Sequence, residues 1–231
     1  MIEFDTTQIK KYSGAEISGT GYLAFRDLQK FSQIHNIKTD HVLDLGCGCG
    51  RSTGFLKNFC SDVTGIDISI DALNIAKKNH PGSNFYINDK TQQNHGDMQF
   101  DTIFSILMIF HLVSIDEIYH EFSKVFNSLK NDGHFIIVNG GKNLYCKNYA
   151  TVSGVGDVPN KSGDLAKIKL ASIDCIITDV FWSEFDLINI AEKVGFTFVG
   201  SHYPIGSKED MQGFKDELQY PPYYYLAFRK K

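Results

Sequence analysis

The amino-acid sequence predicts an α/β protein with a mostly parallel sheet and helices on both of its faces. Short apolar runs typical of buried strands alternate along the chain with segments whose apolar residues recur at helical spacing. The first of these strands ends in a glycine-rich turn that leads into a helix. With 231 residues, of which 42% are hydrophobic, the chain is long enough for one domain with a sizeable core.

Residues 1–39 precede the first predicted strand. Phe25, Leu28 and Phe31 share one face of a helix that is predicted from about residue 20 to 36. The first residues contain neither a basic region nor an apolar stretch, so no secretory signal is predicted. We interpret residues 1–39 as an N-terminal helical cap on the domain that follows.

The strand and turn that come next are the most informative part of the chain. Gly46, Gly48 and Gly50 allow a sharp turn and a close approach to a ligand. Such turns present free N–H groups that suit an anionic group. Asp44, however, stands at the end of the strand, two residues before the first glycine. A carboxylate there repels a pyrophosphate and suits a ligand that carries a cationic amine.

The helices after the turn are predicted from apolar residues at helical spacing, from residues that cap helix ends and from residues that break helices. A short helix follows the turn, and Ser69 is placed to cap the next one. Ser114 and Glu117 form a capping box ahead of a strongly amphipathic helix. Gly195 is placed to end a helix predicted over residues 183–194. Further strands are predicted at residues 63–67, 85–87, 100–107, 135–138, 196–203 and 223–229, with an extra strand or extended lid at 173–180.

Asp67 ends the second predicted strand, about 20 residues beyond Gly46. In dinucleotide folds an acid at this distance binds ribose hydroxyls, and a carboxylate is apt because it accepts from both vicinal hydroxyls. The alternative for Asp67 is a helix-capping role near Ser69. Since the carboxyl ends of parallel strands meet at one edge of a sheet, Asp67 is expected to lie near the glycine turn.

The strand, acid and glycines together resemble the first motif of class I (Rossmann-like) methyltransferases that depend on S-adenosylmethionine (SAM). Residues 42–50, Val-Leu-Asp-Leu-Gly-Cys-Gly-Cys-Gly, fit the family pattern at every defined position. The resemblance implies a seven-stranded, mostly parallel sheet with an antiparallel C-terminal hairpin, whose last strand lies between the fifth and the sixth. It implies a SAM-binding domain over residues 40–231, and we interpret residues 141–181 within it as a substrate lid.

The resemblance also implies SAM as the cofactor, with S-adenosylhomocysteine (SAH) as the product. Ile68 would pack on the adenine ring and Asp89 would accept from the adenine amino group, although a plain Asn-Asp turn is the alternative for Asp89. The backbone at Ser105 and Ile106 would pass beside the cofactor. The predicted cofactor-binding residues are Asp44, Gly46, Cys47, Gly48, Asp67, Ile68, Asp89, Ser105 and Ile106.

His111 follows the fourth predicted strand, in a stretch that resembles the fourth motif of the family. With an ordinary pKa near 6.5, a histidine there can accept a proton from a substrate hydroxyl or amine. The alternative is a structural histidine at the start of the next helix. Methyl transfer from a sulfonium needs little chemical help beyond alignment, so no obligatory catalytic residue is expected.

The acceptor pocket is expected to be built from the less regular segments, and an aromatic lining would suit an apolar or planar molecule. Each of the candidate side chains could instead serve core packing. The predicted substrate-binding residues are Tyr12, Tyr22, Tyr145, Tyr149, Trp182, His202 and Tyr203.

These observations predict a cytoplasmic enzyme, monomeric or homodimeric, that methylates an O or N atom of a small molecule. A net charge of −4 argues against a nucleic-acid partner, and no apolar run is long enough for a membrane span. Five cysteines without a C-x-x-C pair predict no metal site. The alternatives are an RNA or protein methyltransferase, a dinucleotide-dependent oxidoreductase, which Asp44 disfavours, and a non-catalytic SAM-binding module.

Overall fold

A computed structural model describes residues 1–89, 91, 95 and 98–231 of the chain. The strands are β1 (His41–Leu45), β2 (Asp62–Asp67), β3 (Asn84–Ile87), β4 (Phe100–Ile106), β5 (Leu129–Gly140), β6 (Val152–Val155), β7 (Leu165–Leu170), β8 (Cys175–Val180), β9 (Phe196–His202) and β10 (Tyr223–Lys230). The α-helices are α1 (Thr6–Ser13), α2 (Leu28–Ile34), α3 (Arg51–Leu56), α4 (Ile70–Asn79), α5 (Ile115–Ser128) and α6 (Glu184–Val194). Within these residues, no helix is both long and apolar enough to cross a membrane.

Seven strands form the main sheet in the order β3-β2-β1-β4-β5-β10-β9. The first five are parallel, and β10 is antiparallel to both β5 and β9. The predicted seven-stranded sheet is therefore confirmed, and the last strand lies between the fifth and sixth strands of that sheet. All the parallel strands end at the edge that carries the glycine turn, which is where a ligand site belongs in such folds.

Alternate residues of the central strands enter two separate apolar cores, one on each face of the sheet. In β5, for example, Ile136 and Val138 pack in one core, while Phe135 and Ile137 pack in the other. The second core is closed by α5 and α6. The first is closed by the N-terminal segment and by a smaller sheet. Burial on both faces explains why these strands are continuous apolar runs.

The smaller sheet is antiparallel, with the order β6-β7-β8. The sequence predicted one extra strand at 173–180, and β8 matches it, whereas β6 and β7 were not predicted. Ala166 and Ile168 of β7 are buried, and Lys167 and Lys169 between them are exposed. This alternation is the pattern of a half-buried strand, and a search for period two in the region would have found it.

The N-terminal segment differs from the single helix predicted at about 20–36. Residues Gly19–Ala24 form a 3-10 helix, and α2 begins only at Leu28. The first helix, α1, was not predicted. Asp5 and Gln8 form a capping box at its start, but Ile9 is its one buried residue, so the apolar pattern that identifies a helix is absent.

Candidate functional site

The glycine turn joins β1 to α3 and forms one wall of the site. Gly46, Gly48 and Gly50 all have positive φ angles, of 76°, 52° and 90°. The amides of Gly46 and Cys47 donate to the Ile66 carbonyl of β2, at 2.9 and 3.0 Å, which fixes the turn against the neighbouring strand. A side chain at Gly46 would overlap Met108, whereas one at Gly48 would meet no atom within 4 Å. The backbone at Gly48 therefore faces open space.

Asp44 lies fully buried beneath this turn. The hydroxyls of Ser52 and Thr53 donate to its Oδ2 at 2.7 and 2.6 Å, which ties the end of β1 to α3. Its Oδ1 has no hydrogen-bond partner among the described residues. Burial raises the pKa of Asp44 to about 6, and the two hydroxyls oppose that shift. The carboxylate does not line the cavity of the site, although Ser52 does.

Asp67 lies at the end of β2, next to the turn. Its Oδ2 accepts from the Gly48 amide at 2.9 Å, and its Oδ1 accepts from the Ser69 amide at 2.8 Å. Burial raises the pKa of Asp67, and these two backbone donors oppose the shift. Each carboxylate oxygen can accept a second hydrogen bond. Asp67 thus holds the turn and still offers two acceptor positions toward the cavity that it lines.

A cavity of about 420 Å³ runs along the carboxyl ends of the parallel strands. The turn and Asp67 line one part of it. The N-terminal segment and the inner face of the small sheet enclose the rest. The predicted site residues that line the cavity are Gly46, Cys47, Gly48, Asp67, Ile68, Ile106, His111 and Tyr12.

Beyond Asp67, the cavity is lined by Asn88 and Glu121 rather than by Asp89. Asp89 is exposed, and its Oδ1 accepts from the amide and hydroxyl of Thr91, at 2.8 and 2.7 Å. These contacts are those of a plain Asn-Asp turn, which the sequence analysis gives as the alternative interpretation of Asp89. Glu121 of α5 is buried and accepts from the Asn88 side chain at 3.2 Å. The buried Lys124 ammonium donates to Asn88 Oδ1 at 2.7 Å and supports this arrangement.

The end of β4 supplies backbone to the site. Ser105 is fully buried and does not line the cavity, whereas Ile106 and Leu107 do. Leu107 has a φ of 57°, a conformation that costs a non-glycine residue roughly 1–2 kcal/mol. Its amide is bound to the Val138 carbonyl at 2.9 Å, so the strained position is held by β5. Strain of this kind is concentrated at functional sites.

His111 lines the cavity just after β4. Its ring lies nearly perpendicular to the Phe4 ring, with a centroid separation of 5.0 Å. Its Nδ1 has no hydrogen-bond partner among the described residues. Burial disfavours the imidazolium and lowers the pKa of His111 to about 4. The side chain is therefore neutral at pH 7, and it is a weak base.

Of the seven predicted substrate residues, Tyr12 lines the cavity and the other six do not. The buried ones serve packing and internal hydrogen bonds, and the exposed ones bind neighbouring side chains. The hydroxyl of Tyr145 donates to Asp179, that of Tyr149 to the Tyr220 carbonyl, and that of Tyr203 to Glu184. The indole N–H of Trp182 donates to the Leu112 carbonyl, and His202 pairs with Asp27. The backbone carbonyl of Tyr22 accepts from the amides of Phe25 and Arg26.

Several cavity residues were missed by the sequence reasoning, among them Tyr223, Arg51, Glu121 and Leu107. Tyr223 lies at the start of β10, and Arg51 is the first residue of α3, directly after the last glycine. The sequence position of Arg51 could have indicated that it lines the cavity, because a charged side chain next to a glycine turn can contact a ligand bound there. Glu121 on an amphipathic helix and the strained Leu107 gave no such signal.

Comparison with known proteins agrees with this geometry. Residues 42–133 match the family described as "Methyltransferase domain". Protein 235L of Invertebrate iridescent virus 6, which is named as a methyltransferase, is 28% identical over 109 residues. That alignment covers 46% of this chain and 40% of the viral protein, so the chain matches less than half the length of this relative.

Solved structures share the fold over nearly the whole chain. The PH0226 protein from Pyrococcus horikoshii OT3 has a TM-score of 0.66 at 19% identity, covering 99% of this chain and 100% of that one. SAM-bound CalS10, an amino pentose methyltransferase from Micromonospora echinaspora, has a TM-score of 0.64 at 14% identity, covering 100% and 99%. Residues 42–133 therefore match a methyltransferase domain, and the chain has the Rossmann-like fold of solved SAM-dependent methyltransferases.

Proposed function

We propose that the chain transfers a methyl group from SAM to an O or N atom of a small-molecule acceptor. The observation that carries this proposal is a single cavity in which the glycine turn and Asp67 adjoin an apolar chamber. A cofactor at the turn and an acceptor in the chamber would be neighbours in one enclosed space. Alignment of the two is the main requirement of methyl transfer.

The residues at the turn fit SAM. The two remaining acceptor positions of Asp67 match the vicinal ribose hydroxyls, and the open space at Gly48 leaves room for the chain of the ligand. Ile68 offers an apolar surface for the adenine ring, and Glu121 is placed to accept from the adenine amino group in the role first given to Asp89. Bound SAM supplies a methyl group on a sulfonium, with a neutral thioether as the leaving group.

The acceptor would occupy the chamber between the N-terminal segment and the small sheet. Its walls are mainly apolar and include Phe4, Phe25, Phe110, Ile168 and Ile177. An enclosed apolar space of this size suits a small molecule better than a nucleic acid or a folded protein. These walls support residues 1–39 as a cap and 141–181 as a lid. CalS10, which has the same fold, is itself a methyltransferase of an amino pentose.

The first test of this proposal is cofactor binding by the purified protein. We expect SAH to bind with a Kd of about 1–10 μM, which is roughly −7 to −8 kcal/mol, and NAD to bind more weakly or not at all. Asp44 and the glycine turn are the reason for this preference. Isothermal titration calorimetry with each ligand decides the question. Tighter binding of NAD than of SAH would contradict the proposal.

His111→Ala is expected to lower the turnover rate by less than about tenfold, with SAH affinity unchanged. A general base contributes typically about 10²–10⁴-fold, but burial makes His111 a weak base, and alignment should dominate. The assay uses the acceptor found by a screen of metabolite extracts with labelled SAM. A loss of three orders of magnitude with intact SAH binding would instead establish His111 as the catalytic base.

A further inference from the structure

Three consecutive tyrosines begin β10, and their hydroxyls are used differently. The Tyr224 hydroxyl donates to the Trp182 carbonyl at 3.0 Å, and the Tyr225 hydroxyl donates to the Leu23 carbonyl at 2.7 Å. Tyr223 is 5% exposed, and its hydroxyl makes no hydrogen bond with any residue that the structure describes. A buried hydroxyl without a protein partner is unfavourable unless water or a ligand satisfies it. Since Tyr223 also lines the cavity, its hydroxyl is available to a ligand there.

Tyr223 lies on the side of the cavity away from the glycine turn. Because β10 is antiparallel to β5, its first residue pairs with Gly140, the last residue of β5, at the edge where the parallel strands end. In the sheet, β4 and β5 separate β10 from β1, which at about 4.8 Å per strand puts the Tyr223 backbone roughly 14 Å from the end of β1. Asp67 of β2 is one strand farther. A ligand contact made by Tyr223 therefore belongs to the acceptor chamber rather than to the cofactor proposed at the turn.

The chamber around Tyr223 is apolar. Its walls include Leu144, Val152, Ile168 and Ile177, which pack in the same core as Tyr223. A charged group that entered this space would lose its hydration and would gain little in return. An uncharged, apolar molecule matches these walls.

Charged side chains of the cavity wall are exposed or already engaged. Glu3 and Glu16 are exposed. The Arg51 guanidinium lies over the Tyr12 ring at 4.7 Å and donates to the Tyr12 hydroxyl at 3.0 Å. Burial raises the pKa of Tyr223, so its hydroxyl is protonated at neutral pH and can donate. A single neutral donor in an apolar wall suits a neutral oxygen on the ligand.

We propose that Tyr223 is a specificity-determining residue for the acceptor, and that the acceptor is a largely apolar, uncharged molecule that presents a carbonyl or hydroxyl oxygen to the Tyr223 hydroxyl. The inference rests on the function proposed above and names the acceptor class for that site. The apolar walls supply most of the affinity, and the hydrogen bond to Tyr223 fixes the orientation of the molecule in the chamber.

The test measures the binding of four fluorinated probes to the SAH-saturated protein by fluorine NMR titration. The first, para-fluoroacetophenone, carries a neutral carbonyl oxygen, and para-fluoroethylbenzene has nearly the same shape without that oxygen. The other two, para-fluorobenzoate and para-fluorobenzylamine, carry a negative and a positive charge. The benzoate also tests whether Arg51, which opposes the pKa shift of Tyr223, recognises an anion instead. Each probe is titrated into the wild type, Tyr223→Phe and Tyr225→Phe.

Tyr225→Phe is the matched control, because Tyr225 packs in the same core as Tyr223, loses the same atom and does not line the cavity. It removes the hydrogen bond to the Leu23 carbonyl, so its Tm should fall. Tyr223→Phe removes a hydroxyl that has no partner among the described residues, so its Tm should equal or exceed that of the wild type. Thermal unfolding of both variants checks these two expectations.

We expect the wild type to bind para-fluoroacetophenone about 3–10-fold more tightly than para-fluoroethylbenzene, the effect of one hydrogen bond, and more tightly than either charged probe. In Tyr223→Phe this preference should fall to less than about twofold, while para-fluoroethylbenzene and SAH bind as in the wild type. Tyr225→Phe should keep the full preference for the ketone.

The inference is overturned if Tyr223→Phe keeps the preference for para-fluoroacetophenone, if a charged probe binds the wild type more tightly than this ketone, or if none of the probes binds. In each of these cases SAH still binds, and the proposed function stands. A wild-type protein that does not bind SAH would contradict the proposed function itself and would remove the basis of the inference with it.

Discussion

Asp67→Ala is expected to weaken SAH binding by about 10²–10⁴-fold, because the variant loses two charge-assisted hydrogen bonds to the ribose, each worth roughly 1.5–3 kcal/mol. The structure leaves one acceptor position open on each carboxylate oxygen of Asp67 and directs the side chain into the cavity. Calorimetry with SAH measures the loss. Asp67→Asn, which keeps the shape and removes the charge, should give a smaller one.

Asp89→Ala is the matched comparison, since the sequence assigned both acids to the cofactor. The Asp89 carboxylate is exposed and bound to Thr91, so its removal should change SAH affinity by less than about threefold. Asp67 also holds the Gly48 amide, and thermal unfolding of each variant separates loss of binding from loss of structure. Equal losses for the two alanine variants, or a larger loss for Asp89→Ala, would show that one assignment is wrong.

The geometry of the part of the cavity proposed for the cofactor was predictable because local sequence determines it. Positive φ angles favour glycine at Gly46, Gly48 and Gly50, and parallel strands bring their ends to one edge. The positions of Asp67 and of the glycine turn follow from these two facts. The orientation of Asp89 could not be predicted in this way. A local turn, closed by the hydrogen bond from Thr91, decides whether the Asp89 side chain faces the cavity or the solvent.

The part of the cavity proposed for the acceptor was not predictable in the same way. Its wall combines residues far apart in sequence, such as Tyr12, Ile168 and Tyr223, and only the packed fold brings them together. Aromatic composition indicated an apolar pocket but could not separate Tyr12 from Trp182, which is used in the core on the other face of the sheet. Side-chain packing over long sequence distances, rather than local preference, decides these positions.

Asp179→Asn is expected to remove a pH dependence of stability that burial imposes on the wild type. Asp179 lies on the inner face of β8, fully buried, with a weak contact to the Tyr145 hydroxyl at 3.5 Å. Its Oδ1 has no partner among the described residues. Burial raises the pKa of Asp179 to about 7, and the Tyr145 hydroxyl opposes the shift.

The sign of the effect follows from the two protonation states. The unfolded chain releases this proton near pH 4, whereas the folded chain keeps it until about pH 7. The contribution to folding stability is therefore fully present below pH 4 and is lost as the pH rises toward 7. Between pH 5 and pH 8 the loss amounts to about 2–3 kcal/mol. Asparagine is neutral throughout and has no such loss.

The stability of Asp179→Asn relative to the wild type should consequently rise by about 2–3 kcal/mol between pH 5 and pH 8, as measured by urea unfolding at both pH values. Buried histidines such as His111 titrate in the same experiments, but they are common to both proteins and cancel in the difference. Tyr145→Phe should keep the wild-type pH dependence, because burial rather than this hydrogen bond raises the pKa of Asp179. If the difference between Asp179→Asn and the wild type is the same at both pH values, the carboxyl group is not held protonated by the fold.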